Sequence, residues 1–207
     1  MRSDIPHEAR VLLRTCDVSS LVIDRLCDWA GGRNAAVACF YFDFAAQKVQ
    51  SPTTMLGSLL KQVVGGLEEI PAEVAQAFRD HGKDIGGRKL EIDEIVRMLQ
   101  DISSSRPTFI CLDAVDECMA EYRAKLLGSL KQILHKSRST RIFLAGRLHI
   151  RDEVEKHFGG TISVTPTKDD IIRFLRAKLE EDTTPDAMDK SLEEEIVKNV
   201  PETVSEM

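Results

Sequence analysis

Two apolar patterns alternate along this chain. Short, nearly unbroken apolar runs occur at Ala35 to Phe44 (A-A-V-A-C-F-Y-F-D-F), Phe109 to Leu112, Thr140 to Ala145 and Gly160 to Thr165. They are the length of β-strands, and the first three are continuous enough to predict strands covered on both faces. Between them apolar residues recur every third or fourth position, the spacing of helices with one buried stripe. Positions 18, 21, 22, 23, 26 and 29 predict a helix from Val18, capped by Asp17 and stopped by Gly31-Gly32. Ser51-Pro52 opens a second, with Met55, Leu56, Leu59, Leu60, Val63 and Val64 as its stripe. Further helices are predicted from Pro71 to Asp80, Leu90 to Ile102, Ala120 to Lys136, His149 to His157 and Lys168 to Glu180, the last capped by Thr167. Another runs from Ser191 to Val200, cut short by Pro201. His81 to Lys89, with three glycines, reads as a loop, and Ser103 to Pro107 as a linker. Arg10 to Arg14 is a fragment of strand pattern. Strands alternating with helices predict an α/β fold with a parallel sheet. The last forty residues keep only helices, as at the start of a helical lobe.

Composition narrows the function classes. The chain has 207 residues, 43% hydrophobic and 30% charged, with a net charge of −6. The balance is that of a soluble globular protein. It disfavours a phosphate-backbone binder, so no nucleic-acid partner is expected. No apolar stretch is long enough for a bilayer, so no membrane partner is expected either. The five cysteines, Cys16, Cys27, Cys39, Cys111 and Cys118, show no metal-type pairing, and the N-terminus lacks an apolar signal core. Both features point to a cytoplasmic, reducing location. The chain ends at Met207 in mid-pattern, which suggests a truncated product.

The chemistry concentrates in R-P-T-F-I-C-L-D-A-V-D-E-C, residues 106–118. An apolar strand here delivers three carboxylates, Asp113, Asp116 and Glu117, at its end. That is the shape of a Walker B segment, in which the first acid holds Mg²⁺ and a following acid orients water. The same acids would suit the first turn of the helix beginning at Ala120. Gly146-Arg147 ends a neighbouring strand. Its guanidinium suits a terminal phosphate, and equally suits a solvated ion pair with Asp113 or Asp116. The phosphate cradle that completes such a site, G-x-x-x-x-G-K-[ST], is absent. Before the first helix stands Leu13-Arg14-Thr15-Cys16-Asp17, without glycine or lysine. Gly82-Lys83 and Gly86-Gly87-Arg88-Lys89 lack the following hydroxyl residue. Ser19-Ser20 read as helix-start hydroxyls, and the five histidines as surface or loop residues.

The stretches D-V-S-S-L-V-I-D-R-L, A-C-F-Y-F-D-F, P-T-T-M-L-G-S-L-L-K-Q, F-I-C-L-D-A-V-D-E-C, R-I-F-L-A-G-R-L-H-I and K-D-D-I-I-R-F-L carry a family resemblance. The chain resembles the NACHT-type, STAND-class P-loop NTPase domains of fungal signalling proteins. Its nearest form is the nephrocystin-3-like N-terminal domain, often joined to ankyrin or WD repeats. The resemblance implies a P-loop NTPase-like parallel sheet with flanking helices, the first (Walker A) strand missing or degenerate, and a C-terminal helical lobe. It divides the chain into an unassigned segment 1–16, an NTPase-like core 17–166 and the beginning of a helical lobe at 167–207. It implies Asp113 as the Mg²⁺ acid, Asp116 and Glu117 as the water-positioning acids, and Arg147 as the sensor of the terminal phosphate. Thr15 stands where the family has its P-loop lysine and Cys16 where it has its hydroxyl residue. The family's cofactor is ATP or GTP with Mg²⁺; none is expected in this chain. What remains implied is a signalling or interaction module, with protein partners or self-association and without its repeat sensor. The alternative is an active NTPase whose cradle is lost by truncation of the gene model or replaced by an unorthodox phosphate site.

Overall fold

The computed structural model describes residues 10–13, 16–83, 90–163, 167–180 and 190–205. Five strands form one parallel sheet: β1 (Arg10–Leu13), β2 (Ala36–Tyr41), β3 (Thr108–Asp113), β4 (Thr140–Gly146) and β5 (Ile162–Ser163). Their order across the sheet is β2-β3-β4-β1-β5. Eight helices accompany them: α1 (Cys16–Ala30), α2 (Pro52–Gly65), α3 (Ala72–Lys83), α4 (Ile92–Ser105), α5 (Ala120–Lys136), α6 (Arg151–Phe158), α7 (Lys168–Glu180) and α8 (Lys190–Ser205). Because every strand is parallel, all carboxyl ends open on one edge of the sheet, where such folds receive ligands. The first strand is short but present. All four of its residues pair with β4, and Leu12 and Leu13 also pair with β5.

The chain divides into two compact units, Met1–Ser163 and Val164–Met207. In the first, the core lies where β2, β3 and β4 meet α2, α4 and α5. Met55, Leu56, Leu59, Leu60, Ile95, Leu99, Ile110, Leu112, Leu126, Leu127 and Leu130 are fully buried there. The α2 stripe follows the predicted spacing, with Ser51 accepting from the Thr54 amide as N-cap and Pro52 in the first turn. Its far end is closed by Arg106, whose guanidinium donates to Gly66 O (2.8 Å) and Val63 O. Helix ends leave carbonyls without partners, and a buried planar donor fork satisfies two of them. On the opposite side of the sheet, α1 lies over β2 and β3. Trp29 meets Phe109 edge-on at 5.3 Å, and the Arg33 guanidinium covers the indole face at 4.9 Å. In the second unit α7 packs with α8. Thr167 caps α7 by accepting from the Asp170 amide (3.2 Å), while Asp170 accepts from the Thr167 amide (3.1 Å).

Several boundaries depart from the sequence reading. The first helix begins at Cys16, so Asp17 lies inside it and is not its cap. β2 is an edge strand, packed by α2 on one face and by α1 on the other as expected, but it ends at Tyr41 and not at Phe44: Tyr41 is half exposed and Phe44, beyond its end, is 71% exposed. Ser103 to Ser105 finish α4 and do not form a linker. Each hydroxyl bonds back to a carbonyl three or four residues earlier, which lets serine close a helix. The third helix continues to Lys83, and α8 runs through Pro201 to Ser205. Residues 84–89, the rest of the predicted loop, lie outside the described residues.

Candidate functional site

Asp113 is the last residue of β3 and is 6% exposed. A carboxylate at that depth needs donors. One is the Ser19 hydroxyl from the first turn of α1, at 2.8 Å from Oδ1; the other is the amide of Ala114, at 2.9 Å from the same oxygen. Ser19 itself is buried. On the neighbouring strand Tyr41 stands level with Asp113. Burial first, then Cys39 and Asp113, push the Tyr41 phenol above its ordinary value.

After Asp113 the chain turns sharply. Ala114 adopts φ 53, ψ 41, the left-handed region, where an L-residue costs about 1–2 kcal/mol. The turn throws Val115–Glu117 into a 3-10 helix that packs against the end of β4. The helix α5 starts later, at Ala120, with Glu121 as its first-turn acid. Asp116 and Glu117 therefore do not serve the start of α5. Asp116 is 5% exposed and accepts from the Arg147 amide at 3.0 Å, with the Arg147 Nε at 3.5 Å from its other oxygen. Glu117 accepts from the Phe44 amide at 3.0 Å, and Arg147 Nη2 lies 3.9 Å from its second oxygen. Gln47 donates to the Glu117 carbonyl at 2.6 Å. The two acids thus join the ends of β2 and β4 across the carboxyl edge of β3.

Gly146 makes that packing available. A Cβ there would stand 3.2 Å from Asp116 Oδ1 and 3.0 Å from Ile150 Cδ1, so any side chain would require the acid turn and Ile150 to give by a few tenths of an ångström. Arg147, 72% exposed, has the solvated, ion-paired arrangement of a surface arginine. Arg123 holds the turn from below. This buried guanidinium donates to the carbonyls of Asp116 (3.3 Å) and Cys118 (2.8 Å) and pairs with Glu153 of α6 at 2.8 Å. Burial pushes the Cys118 thiol up to about 11 and the Cys111 thiol up to about 12, so neither is a thiolate at neutral pH.

Sequence reading names Asp113, Asp116, Glu117 and Arg147. The structure brings the last three together and gives Asp113 a different partner, Ser19. Among the described residues no three His, Cys, Asp or Glu side chains converge closely enough to hold a metal ion. Sequence reading takes Ser19 only as a helix-start hydroxyl and passes over Arg123. Both had a signal. Ser19 shares the helical face of Ile23 and Leu26, and Arg123 that of Leu126, Leu127 and Leu130. A polar residue in register with an apolar stripe is a buried polar residue, and a buried polar residue has a partner. Thr15 lies outside the described residues, and Cys16 opens α1.

The fold that carries this acid-tipped strand has relatives among known proteins. The profile of the family described as nephrocystin 3, N-terminal, matches residues 17–147, well over half of the chain. The chain belongs to that family. It is a NACHT-type domain with a P-loop NTPase-like fold. No curated protein matches it significantly. Among solved structures, the Orc1 protein of Aeropyrum pernix, in complex with DNA, aligns over 90% of this chain and 47% of its own, with 18% identity and a TM-score of 0.57. The Drosophila origin recognition complex bound to DNA aligns over 85% of this chain and 42% of its own, with 12% identity and a TM-score of 0.53. At such identities the likeness is one of fold. The chain spans less than half the length of either. No described helix is long and apolar enough to cross a membrane.

Proposed function

We propose that this nephrocystin-3-type domain is an interaction module of the NACHT signalling class that works by protein contact or self-association and does not hydrolyse nucleotide. One observation carries the reading. Only Arg14 and Thr15 separate the end of β1 from the start of α1. A P-loop needs a glycine-rich run there, so that successive amides can wrap the phosphates and a lysine can neutralise them. Two residues without glycine or lysine do not fit a nucleoside triphosphate. The acid half of the site is retained: Asp113 would be the residue to hold Mg²⁺, and Asp116 and Glu117 the acids to position water. Arg147 would be the sensor. Without a cradle those roles have no phosphate to act on, and no catalytic step is derived through them. Losing the cradle removes several charge-assisted bonds of about 1.5–3 kcal/mol each, and about 1.4 kcal/mol is tenfold in affinity. The net charge of −6 supports a protein partner over a nucleic acid, and the scattered reduced cysteines support a cytoplasmic location.

The test is a titration of the full chain with fluorescent ATP and GTP in Mg²⁺. The expected result is no saturable binding below about millimolar nucleotide. Micromolar binding that disappears in Asp113→Ala would overturn the reading and favour an active NTPase with an unorthodox phosphate site.

A further inference from the structure

The outer edge of β2 is closed by a side chain. Backbone bonds from the Ala36 amide to Pro107 O (2.9 Å) and from the Phe42 amide to Asp113 O (3.1 Å) show which residues of this strand face β3. In a parallel ladder both polar groups of a residue point to the same side, and the side alternates along the strand. The even-numbered residues therefore bond to β3. Val37, Cys39 and Tyr41 turn their N–H and C=O groups outward, where the sheet has no further strand among the described residues. The middle one is occupied. The Gln62 carboxamide, reaching from α2, accepts from the Cys39 amide at 2.9 Å and donates to the Cys39 carbonyl at 2.8 Å. A single primary amide thus reproduces both bonds that a neighbouring strand would make. One strand position further, past Tyr41, the amide of Asp43 is met by Gln50 Oε1 at 3.3 Å.

We propose that Gln62 is an edge guard, and that the surface it closes is a strand-addition surface for a second copy of this chain. The sequence of β2, A-V-A-C-F-Y, is uncharged, proline-free and strand-prone, the profile of a segment that pairs with itself when its edge is open. Two copies of this edge are self-complementary about a two-fold axis at Cys39, which sets Val37 opposite Tyr41 in an antiparallel pair. That pairing requires the groups Gln62 now holds. A carboxamide at this half-buried place also satisfies its own polar atoms through the same bonds, but that need alone does not require both groups of one outward-facing residue. The inference rests on the strand geometry alone and stands whether or not nucleotide binds.

The experiment measures the weight-average mass of the full chain by sedimentation across a dilution series. Gln62→Ala should raise the mass toward twice that of the parent as concentration rises. Val37→Pro in the Gln62→Ala background should return it to the parent value. Proline is tolerated there because the Val37 amide faces outward and makes no bond to β3, yet it removes a donor from the exposed edge. If Gln62→Ala does not fold, Gln62→Glu replaces it, keeping the acceptor for the Cys39 amide while losing the donor to the Cys39 carbonyl. A mass unchanged from the parent overturns the proposal. So does an increase that Val37→Pro leaves in place, since the association would then use another surface.

Discussion

Ser19 and Asp113 form a close long-range contact between two side chains at the sheet's carboxyl edge, and both are buried. Ser19→Ala should therefore cost about 1–3 kcal/mol, because a buried carboxylate loses one of its two donors. Ser20→Ala, at an exposed position, should stay within about 0.5 kcal/mol. Urea unfolding of the two variants side by side separates this contact from a general effect on the helix start. The buried thiols give a second residue-scale prediction. Cys111 titrates near 9 when unfolded and is raised by burial to about 12 in the fold. Between those values the unfolded chain releases a proton that the folded chain keeps. Its stabilising contribution is whole below pH 9 and is lost as pH rises toward 12, by up to about 1.4 kcal/mol per pH unit. Lysine and tyrosine titrations overlap this range, so the check is Cys111→Ala, which should flatten the fall. The acid strand was legible because three carboxylates after an apolar run are a local pattern. Ser19 and Arg123 were not singled out, because their partners lie 94 and 30 residues away and no local pattern names a partner.

Whole elements were legible where a stripe and its punctuation agreed. Ser51-Pro52 and the six apolar positions of α2 set that helix, and α5 and α7 fall on their predicted spans. Boundaries failed where tertiary contacts overrode local signals. The three serines that close α4 resemble a linker in composition, and Pro201 resembles a stop, yet both lie within helices. β2 reads as covered on both faces and is, by α2 and α1, but its place at the sheet edge follows from strand order, which periodicity does not encode. The closure of α2 by Arg106 is likewise a contact across more than forty residues. Its Nε is buried without a partner among the described residues, so the site carries a desolvation cost offset by two carbonyl bonds. Arg106→Met should destabilise the chain by about 1–3 kcal/mol. Arg106→Lys should recover little of this, since one ammonium cannot span both carbonyls. Thermal melts of the pair provide the comparison.

Across the whole molecule burial is uneven. The large buried side chains belong to β3, β4, α2, α4 and α5, whereas α1 contributes Ile23 and Ser19, and α7 no buried residue. Stability distributed this way gives a graded opening. Native-state hydrogen exchange should be slowest at the amides of β3 and the middle of α2 and α5. It should be markedly faster in α7, whose helix exposes every residue in part. Equal protection of α7 and β3 would contradict that order. The strand order was not legible in the sequence, because alternation of helix and strand predicts a parallel sheet without ranking its strands.

The acid turn is braced by Arg123 from α5, by the missing Cβ of Gly146 and by the Phe44 amide, all of them contacts within the protein. Every one of those braces comes from this chain's own residues. An engineer who adds a glycine-rich, lysine-bearing insert between β1 and α1 would therefore start from an acid turn that is already shaped.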